Sequence, residues 1–359
     1  TRWNQPLDRH KLQFLLLHFR LLQHLSKIQK APVENESLSW YFVSNLRSLQ
    51  APDCRRSRRR LQGGDSTVDS ASIDSIRSAA EGIGMMESRE GNWQDFETWL
   101  QELRGRGFKR GLIFRGQADS KWRLQTTLER SGHSTMPIVD YYSLIVRVVG
   151  PSVSSFSSMQ APSFDENLWK DLADFDRLSD YARVEGSVFD QTLFPGGGHF
   201  EYVAYLRHHG FPSPLLDWSL SPYVAAFFAF RDANPKIEKR SIFVYCDRPH
   251  GTYGGTIGEP MIQFPVGHTR APRRHFFQQS VYTVCESANK VDRKWQFDSH
   301  QKVFDNPRPN QDFLGRFDLP STEREKVLGL LDRYNLNAYS LFESEESLLE
   351  TLWLRANRM

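Results

Sequence analysis

The stretch Leu206–Phe230, LRHHGFPSPLLDWSLSPYVAAFFAF, decides how this chain folds. It opens on His208 and His209, turns at Gly210, and is stiffened by Pro212 and Pro214 ahead of the apolar pair Leu215–Leu216. Asp217 and Trp218 follow, Ser219 and Ser221 flank a helix start, and Pro222 suits the first turn of that helix. Tyr223 to Phe230 is almost wholly apolar. A helix that is apolar on every face is a buried one, so this segment is predicted to form the centre of the core. Histidine, aspartate, tryptophan and serine are crowded together just before it. Free N–H groups at a helix N-terminus take anions. The purely structural reading of the same residues is that Asp217 and Ser219 cap the helix.

Further from this centre, Gly111–Gly116 (GLIFRG) reads as a short buried strand carrying Arg115 near its end. A guanidinium there suits an anionic ligand through paired, directional bonds; the alternative is a structural ion pair to a carboxylate such as Asp217. Ser241–Cys246 is the clearest strand, and Ser280–Val284 alternates as a strand does. Asn92 is placed to cap a helix with Trp93, Phe96, Trp99, Leu100 and Leu103 on one face. Further helices are predicted over Trp169–Val184, His199–His208, Glu323–Tyr334 and Glu343–Arg355, with a loop over Pro151–Ser163. The His199–His208 helix sets Glu201 and His208 on the same face.

These residues resemble a known family. Arg207–Ser219 and the small-apolar helix after it are similar to the core motif of FRG domains, written QHxGxPTRLLDWT. Phe114-Arg115-Gly116 matches the tripeptide that names the domain, and Arg274–Val284 (RHFFQQSVYTV) resembles the pattern Arg-x-x-x-Gln-Gln-Gly-x-Phe-Thr. The likeness runs from about Asn92 to the C-terminus. Departures fall at Arg207 (Gln in the family), Ser213 (Thr), Pro214 (Arg), Ser219 (Thr), Ser280 (Gly) and Tyr282 (Phe).

The order of the blocks has a looser similarity to the arginine–serine–glutamate layout of ADP-ribosyltransferases. That similarity implies NAD as substrate, with Arg115 on its phosphate or ribose and Ser219 supporting the nicotinamide half. The third role belongs to a glutamate that steadies the oxocarbenium-like transition state, and the matching strand offers Gln278 and Gln279 instead. Glu201 is taken for that role, with Glu286 as the other choice. The implied catalytic set is Arg115, Glu201, His208 and Ser219. The implied NAD contacts are Arg115, Gln117, His208, Asp217, Trp218 and Gln278, with no metal. The acceptor is a protein or a nucleic acid, and a toxin or antiviral-defence role is compatible with the family. The alternative is a non-catalytic nucleotide- or nucleic-acid-binding module using Arg115, His208 and the Arg55–Arg60 run.

Other chemistries fit less well. No GxSxG elbow surrounds a serine, and Asp217 stands too near Ser219 for a Ser-His-Asp relay. His208, His209 and Asp217 lack the usual spacing of metal ligands.

At 359 residues, with 39% hydrophobic and 13% aromatic content, the chain exceeds one typical domain and has enough apolar side chains for a substantial core. A net charge of +3 is too small to argue for nucleic acid by itself. Cys54, Cys246 and Cys285 form neither a metal-ligand pattern nor a disulfide framework, so a reducing, cytoplasmic setting is expected. No apolar run approaches the roughly 20 residues of a membrane span. His18 and Arg20 interrupt the first apolar run, which argues against a signal peptide, and Thr1 as first residue suggests a trimmed N-terminus.

Residues 1–50 are expected to form a helical extension, with helices at Asp8–Gln29 and Glu36–Leu49 that dock on the main domain or on a partner protein. Residues 51–91 read as a flexible linker holding the arginine run, and residues 92–359 as the FRG domain. The fold class is α+β: a mixed or antiparallel sheet core with flanking helices, ADP-ribosyltransferase-like, behind that extension.

Overall fold

The computed structural model describes residues 86–184, 198–251, 258–265, 273–305 and 312–357. The chain divides between residues 67 and 68, and every described residue belongs to the second unit. The helices expected at 8–29 and 36–49 and the Arg55–Arg60 run lie outside the described residues. No helix among the described residues is long and apolar enough to cross a membrane.

The described residues contain nine strands joined in one open sheet. They are β1 (Met86–Glu90), β2 (Ile113–Gln117), β3 (Met136–Pro137), β4 (Leu216–Ser219), β5 (Lys239–Cys246), β6 (Met261–Gln263), β7 (Ser280–Asn289), β8 (Lys294–Phe297) and β9 (Phe313–Pro320). The order across the sheet is β1-β9-β5-β2-β4-β7-β8-β3, with β6 also on β7. β1 runs parallel to β9, and the other pairs are antiparallel. With helices packed on this mixed sheet, the class is α+β, as the sequence predicts.

Asn92 caps the Trp93–Gly105 helix through a capping box. Its side-chain oxygen accepts from the Gln94 and Asp95 amides at 2.8 and 3.2 Å, and the Asp95 carboxylate accepts from the Asn92 amide at 2.9 Å. All five apolar residues read onto the inner face of this helix are buried. They share a core with the central helix, Pro222–Arg231, and with Val327, Leu328 and Leu331 of the Arg324–Arg333 helix. A second core lies under the Ile138–Ser143 and Gly198–His208 helices, where Tyr141, Tyr142 and Val203 pack against Tyr282 and Phe297.

The central helix lies almost on the backbone of β2. A β-carbon placed on Gly116 would stand 1.8 Å from the Ala225 carbonyl oxygen and 2.6 Å from the Ala229 amide nitrogen. Only glycine allows that approach.

The structure corrects the local reading in three places. Ser221, not Ser219, caps the central helix, accepting from the Val224 amide at 3.3 Å, and Leu216–Ser219 is strand β4. Four residues are too few for an alternation to be recognised, and pairing with β7 decides the matter. The Pro151–Ser163 stretch is helical as far as Phe156, because it continues the helical run that starts at Ile138, and Pro151, which cannot donate, follows directly on the π-helical turns of Leu144–Val149. Trp169–Val184 belongs to two helices, Glu166–Ala173 and Phe175–Val184, separated by the extended backbone of Asp174. The sheet begins at Met86, six residues before the Asn92 cap.

Candidate functional site

β2 and β4 pair only through Phe114 and Ser219. Over the rest of their length they share no ladder bonds, and a cavity of about 760 Å³ lies along this seam. Arg115 bridges it, its Nη1 donating to the Asp217 carbonyl at 2.6 Å. The alternative of an Arg115–Asp217 carboxylate ion pair is therefore not what forms. The Asp217 carboxylate instead meets Nη2 of Arg207 at 2.5 Å.

Seven of the eight residues assigned to the site from sequence line this cavity: Arg115, Gln117, His208, Asp217, Trp218, Ser219 and Gln278. Glu201 does not, and neither does Glu286, which is buried on β7 between Met261 and Phe297. Glu201 occupies a position on the Gly198–His208 helix whose neighbours Phe200, Tyr202 and Val203 face the second core.

The Gly198–His208 helix delivers Arg207 and His208 from its last turn, where the Arg207 cation also suits the helix dipole. β7 delivers Ser280 and Tyr282, and the Arg273–Phe277 helix brings Arg274 and the Gln278 that follows it. Arg274 Nη2 donates to the His208 carbonyl at 2.9 Å. The Tyr282 hydroxyl lies 3.0 Å from His208 Nε2 and 3.3 Å from His275 Nδ1, so it links the two imidazoles. Burial and the charge of Arg274 pull His208 down to about 4, with Asp217 opposing, so its ring is neutral at physiological pH.

Ser219 is engaged in holding the turn. Its Oγ donates to the Gln278 carbonyl at 2.7 Å and accepts from the Ser221 amide at 3.0 Å. Behind the cavity wall, Trp218 Nε1 donates to Thr283 Oγ1 at 2.8 Å, and that hydroxyl lies 2.9 Å from His300 Nε2. Burial takes His300 down to about 3, with Arg115 adding to the shift.

The charge balance of the lining is one-sided. Among the described residues, Arg115, Lys121, Arg123, Arg130, Arg207 and Arg274 face a single carboxylate, Asp217. Burial pulls Arg115 down to about 10, Asp217 opposes this, and Arg207 and Arg130 add to it; Arg115 still stays charged at neutral pH. Arg130 is also lowered, first by partial burial of its guanidinium against the cavity and then by Arg207, although the residue as a whole is exposed. The Nε atoms of Arg115, Arg207 and Arg274 are shielded from solvent and have no hydrogen-bond partner among the described residues. Three guanidiniums that border this cavity thus each keep a buried Nε unpaired among the described residues.

Sequence reasoning passed over Arg207, Arg274, Arg130 and Tyr282 as site residues. Two of them carried a signal: Arg207 heads the central motif, and Arg274 heads the Gln-Gln block. The buried thiols Cys246 and Cys285 are both raised, chiefly by burial, and neither lines the cavity.

The family model of the FRG domain matches residues 110–238, which hold the Phe114-Arg115-Gly116 tripeptide and the whole Leu206–Phe230 stretch. The Arg274–Val284 block lies beyond the matched range. No curated protein and no solved structure matches the chain.

Proposed function

We propose that this FRG domain binds a nucleotide of the dinucleotide class, with NAD the first candidate, by seating its phosphates in the cleft between β2 and β4. The observation that carries the reading is the set of three buried guanidinium Nε atoms, on Arg115, Arg207 and Arg274, left without partners around one cavity. A guanidinium presents donors in a planar fork that fits phosphate oxygens, and in a partly dry cleft such bonds are strong. The cavity volume of about 760 Å³ falls within the range of about 300–1,000 Å³ usual for small-molecule sites. Trp218, Phe228 and Tyr282 supply the apolar surface that a base or a nicotinamide ring requires.

ADP-ribosyl transfer from NAD is the second reading, favoured by a carboxylate in the cleft, that of Asp217. Breaking the nicotinamide–ribose bond develops positive charge on the ribose, and a carboxylate beside it stabilises that charge. Glu201 and Glu286 are not lining residues, so Asp217 is the group this chemistry would use. Arg207 holds the Asp217 carboxylate and fixes its orientation. His208, neutral above about pH 4, stands beside the same cavity as a proton acceptor for an incoming hydroxyl.

Calorimetric titration with NAD, ADP-ribose and inorganic pyrophosphate tests the first reading, with Arg207→Ala and Arg274→Ala alongside. Binding of NAD and ADP-ribose, weakened about tenfold or more by either variant, is expected from the loss of a charge-assisted pair. Absence of binding by all three probes overturns it. Release of nicotinamide by the wild-type chain but not by Asp217→Asn supports transfer. Binding without release leaves the domain a nucleotide-binding module.

A further inference from the structure

The inner arginines account for half of the cations in the cleft; Lys121, Arg123 and Arg130 are the other half, and all three are exposed. None of them makes an ion pair with a described carboxylate. Between the first two stands Trp122, 49% exposed and also lining the cavity. We infer that the Lys121-Trp122-Arg123 rim, with Arg130, seats the unpaired end of a nucleic-acid strand at the mouth of the cleft, stacking one base on Trp122 and holding the flanking phosphates.

The indole is presented by a fixed loop. The Asp119 carboxylate accepts from the Lys121 amide at 2.9 Å, and the Asp119 carbonyl accepts from the Trp122 amide at 3.1 Å. Ser120 is pinned from both sides: its amide donates to the Lys239 carbonyl at 2.9 Å, and its carbonyl accepts from Arg316 Nη2 at 2.7 Å. Gln117 Nε2 holds the Arg123 carbonyl at 3.3 Å, and Leu124 is buried immediately after. Anchored this way, Trp122 is held at the surface instead of folding into the core. An exposed indole on a fixed backbone between two cations is a ready stacking platform, because the loop needs no ordering when a base arrives.

Charge favours a polyanion over an ordinary peptide. A dinucleotide's two phosphates are answered by the inner arginines, and the outer cations are left for phosphates of a second molecule. Stacking on an indole requires a base outside a duplex, which selects a single-stranded end. This inference rests on reading the cleft as a phosphate site, and it makes the second molecule a nucleic acid.

Fluorescence anisotropy on the full chain tests it, using a labelled single-stranded oligonucleotide, its blunt duplex and a phosphorylated peptide, with NAD titrated separately. The single strand should bind more tightly than the duplex. Trp122→Ala should weaken it about 5- to 150-fold without moving the melting temperature, and Trp122→Phe should restore most of the loss. Lys121→Ala and Arg123→Ala should each lower the slope of log affinity against log salt by about 0.7. Equal affinity for duplex and single strand, indifference to Trp122→Ala, or retention of the phosphopeptide alone overturns the inference. NAD binding without oligonucleotide binding overturns the rim and leaves the dinucleotide cleft standing. Trp122-dependent oligonucleotide binding without NAD binding upholds the rim and overturns the dinucleotide.

Discussion

Gly116→Ala is the sharpest test of how the cleft is built. The added β-carbon would meet the Ala225 carbonyl oxygen at 1.8 Å, the Ala229 amide nitrogen at 2.6 Å and the Ala225 carbonyl carbon at 2.9 Å. All three are backbone atoms, so no side chain can rotate away. Ordinary contact begins at 3.4 Å, and the helix must therefore withdraw by about 1.6 Å along that line. Inserting one extra carbon into a well-packed core costs about 1–3 kcal/mol when side chains can yield. Here a whole helix must move, and Ala225, Ala226, Ala229 and Phe230, all buried, lose their close packing with it. About 4 kcal/mol is the expected cost, which at about 2–4 °C per kcal/mol lowers the melting point by about 8–16 °C. Gly105→Ala is the control, since nothing lies within 4 Å of its β-carbon position, and its melting point should hold or rise slightly. Paired thermal and urea melts decide the outcome. A Gly116→Ala protein melting within about 2 °C of wild type would refute the close approach of helix and strand.

Other perturbations separate the charges of the site. Asp217→Asn and Arg207→Ala remove the two ends of a partly exposed pair, with the Asp217 side chain 38% and the Arg207 side chain 16% accessible. Each should cost at most about 1 kcal/mol in urea melts, solvent screening limiting the pair, and the double variant less than their sum; strict additivity would deny the pair. Acidification should destabilise the fold, because His208 and His300 are neutral when folded, at about 4 and about 3, while an unfolded histidine takes up its proton near 6.5. Their contribution is complete above pH 6.5 and is lost as pH falls toward 4 and 3, which melts across that window would detect. Asp312 works in the opposite sense: burial and the charge of Asp247 raise it, so the folded state keeps its proton longer than the unfolded chain does. Asp312→Asn removes this counter-slope and should steepen the acid loss; a shallower profile would reverse the assignment. Arg115→Met should leave the ligand-free protein about as stable as wild type, yet abolish the rise in melting temperature on adding NAD. A ligand-induced rise that survives the change would remove Arg115 from the site.

Much of this was legible in the sequence, and for definite reasons. The apolar run of Tyr223–Phe230 says buried helix without ambiguity, and Asn92 ahead of Trp93 and Phe96 says helix start. Ser241–Cys246 is apolar enough to be read as a central strand, and β5 adds only Lys239 and Arg240 before it. The strands that escaped are those without such a pattern. β1 reads MESRE and is held by its pairing with β9, while Gly315 and Arg316 interrupt the alternation of β9 itself. The site divides in the same way. Arg115, Asp217 and Trp218 belong to compact motifs, whereas the place of Arg274 depends on how the helix before β7 swings back to the His208 carbonyl. The direction of a cation on such a segment is a tertiary fact, and no local spacing encodes it.

The seam between β2 and β4 explains why one arginine occupies the centre of this cleft. Two antiparallel strands that paired fully would close the sheet and leave no cavity; here the ladder stops after Phe114 and Ser219. The Asp217 carbonyl on β4 would then lack a partner, and Arg115 Nη1 supplies it at 2.6 Å. The same guanidinium gives up much of its hydration, as its fall to about 10 reflects, and it receives no carboxylate in exchange. A charge desolvated and only half satisfied destabilises the fold that contains it. Under the proposed function that cost falls when an anion pairs with this guanidinium, and Arg207 and Arg274 add to the same attraction. Strain of this kind is retained where the bound state relieves it. The broken ladder opens the cleft, and the arginine that spans it sets a cation at its centre.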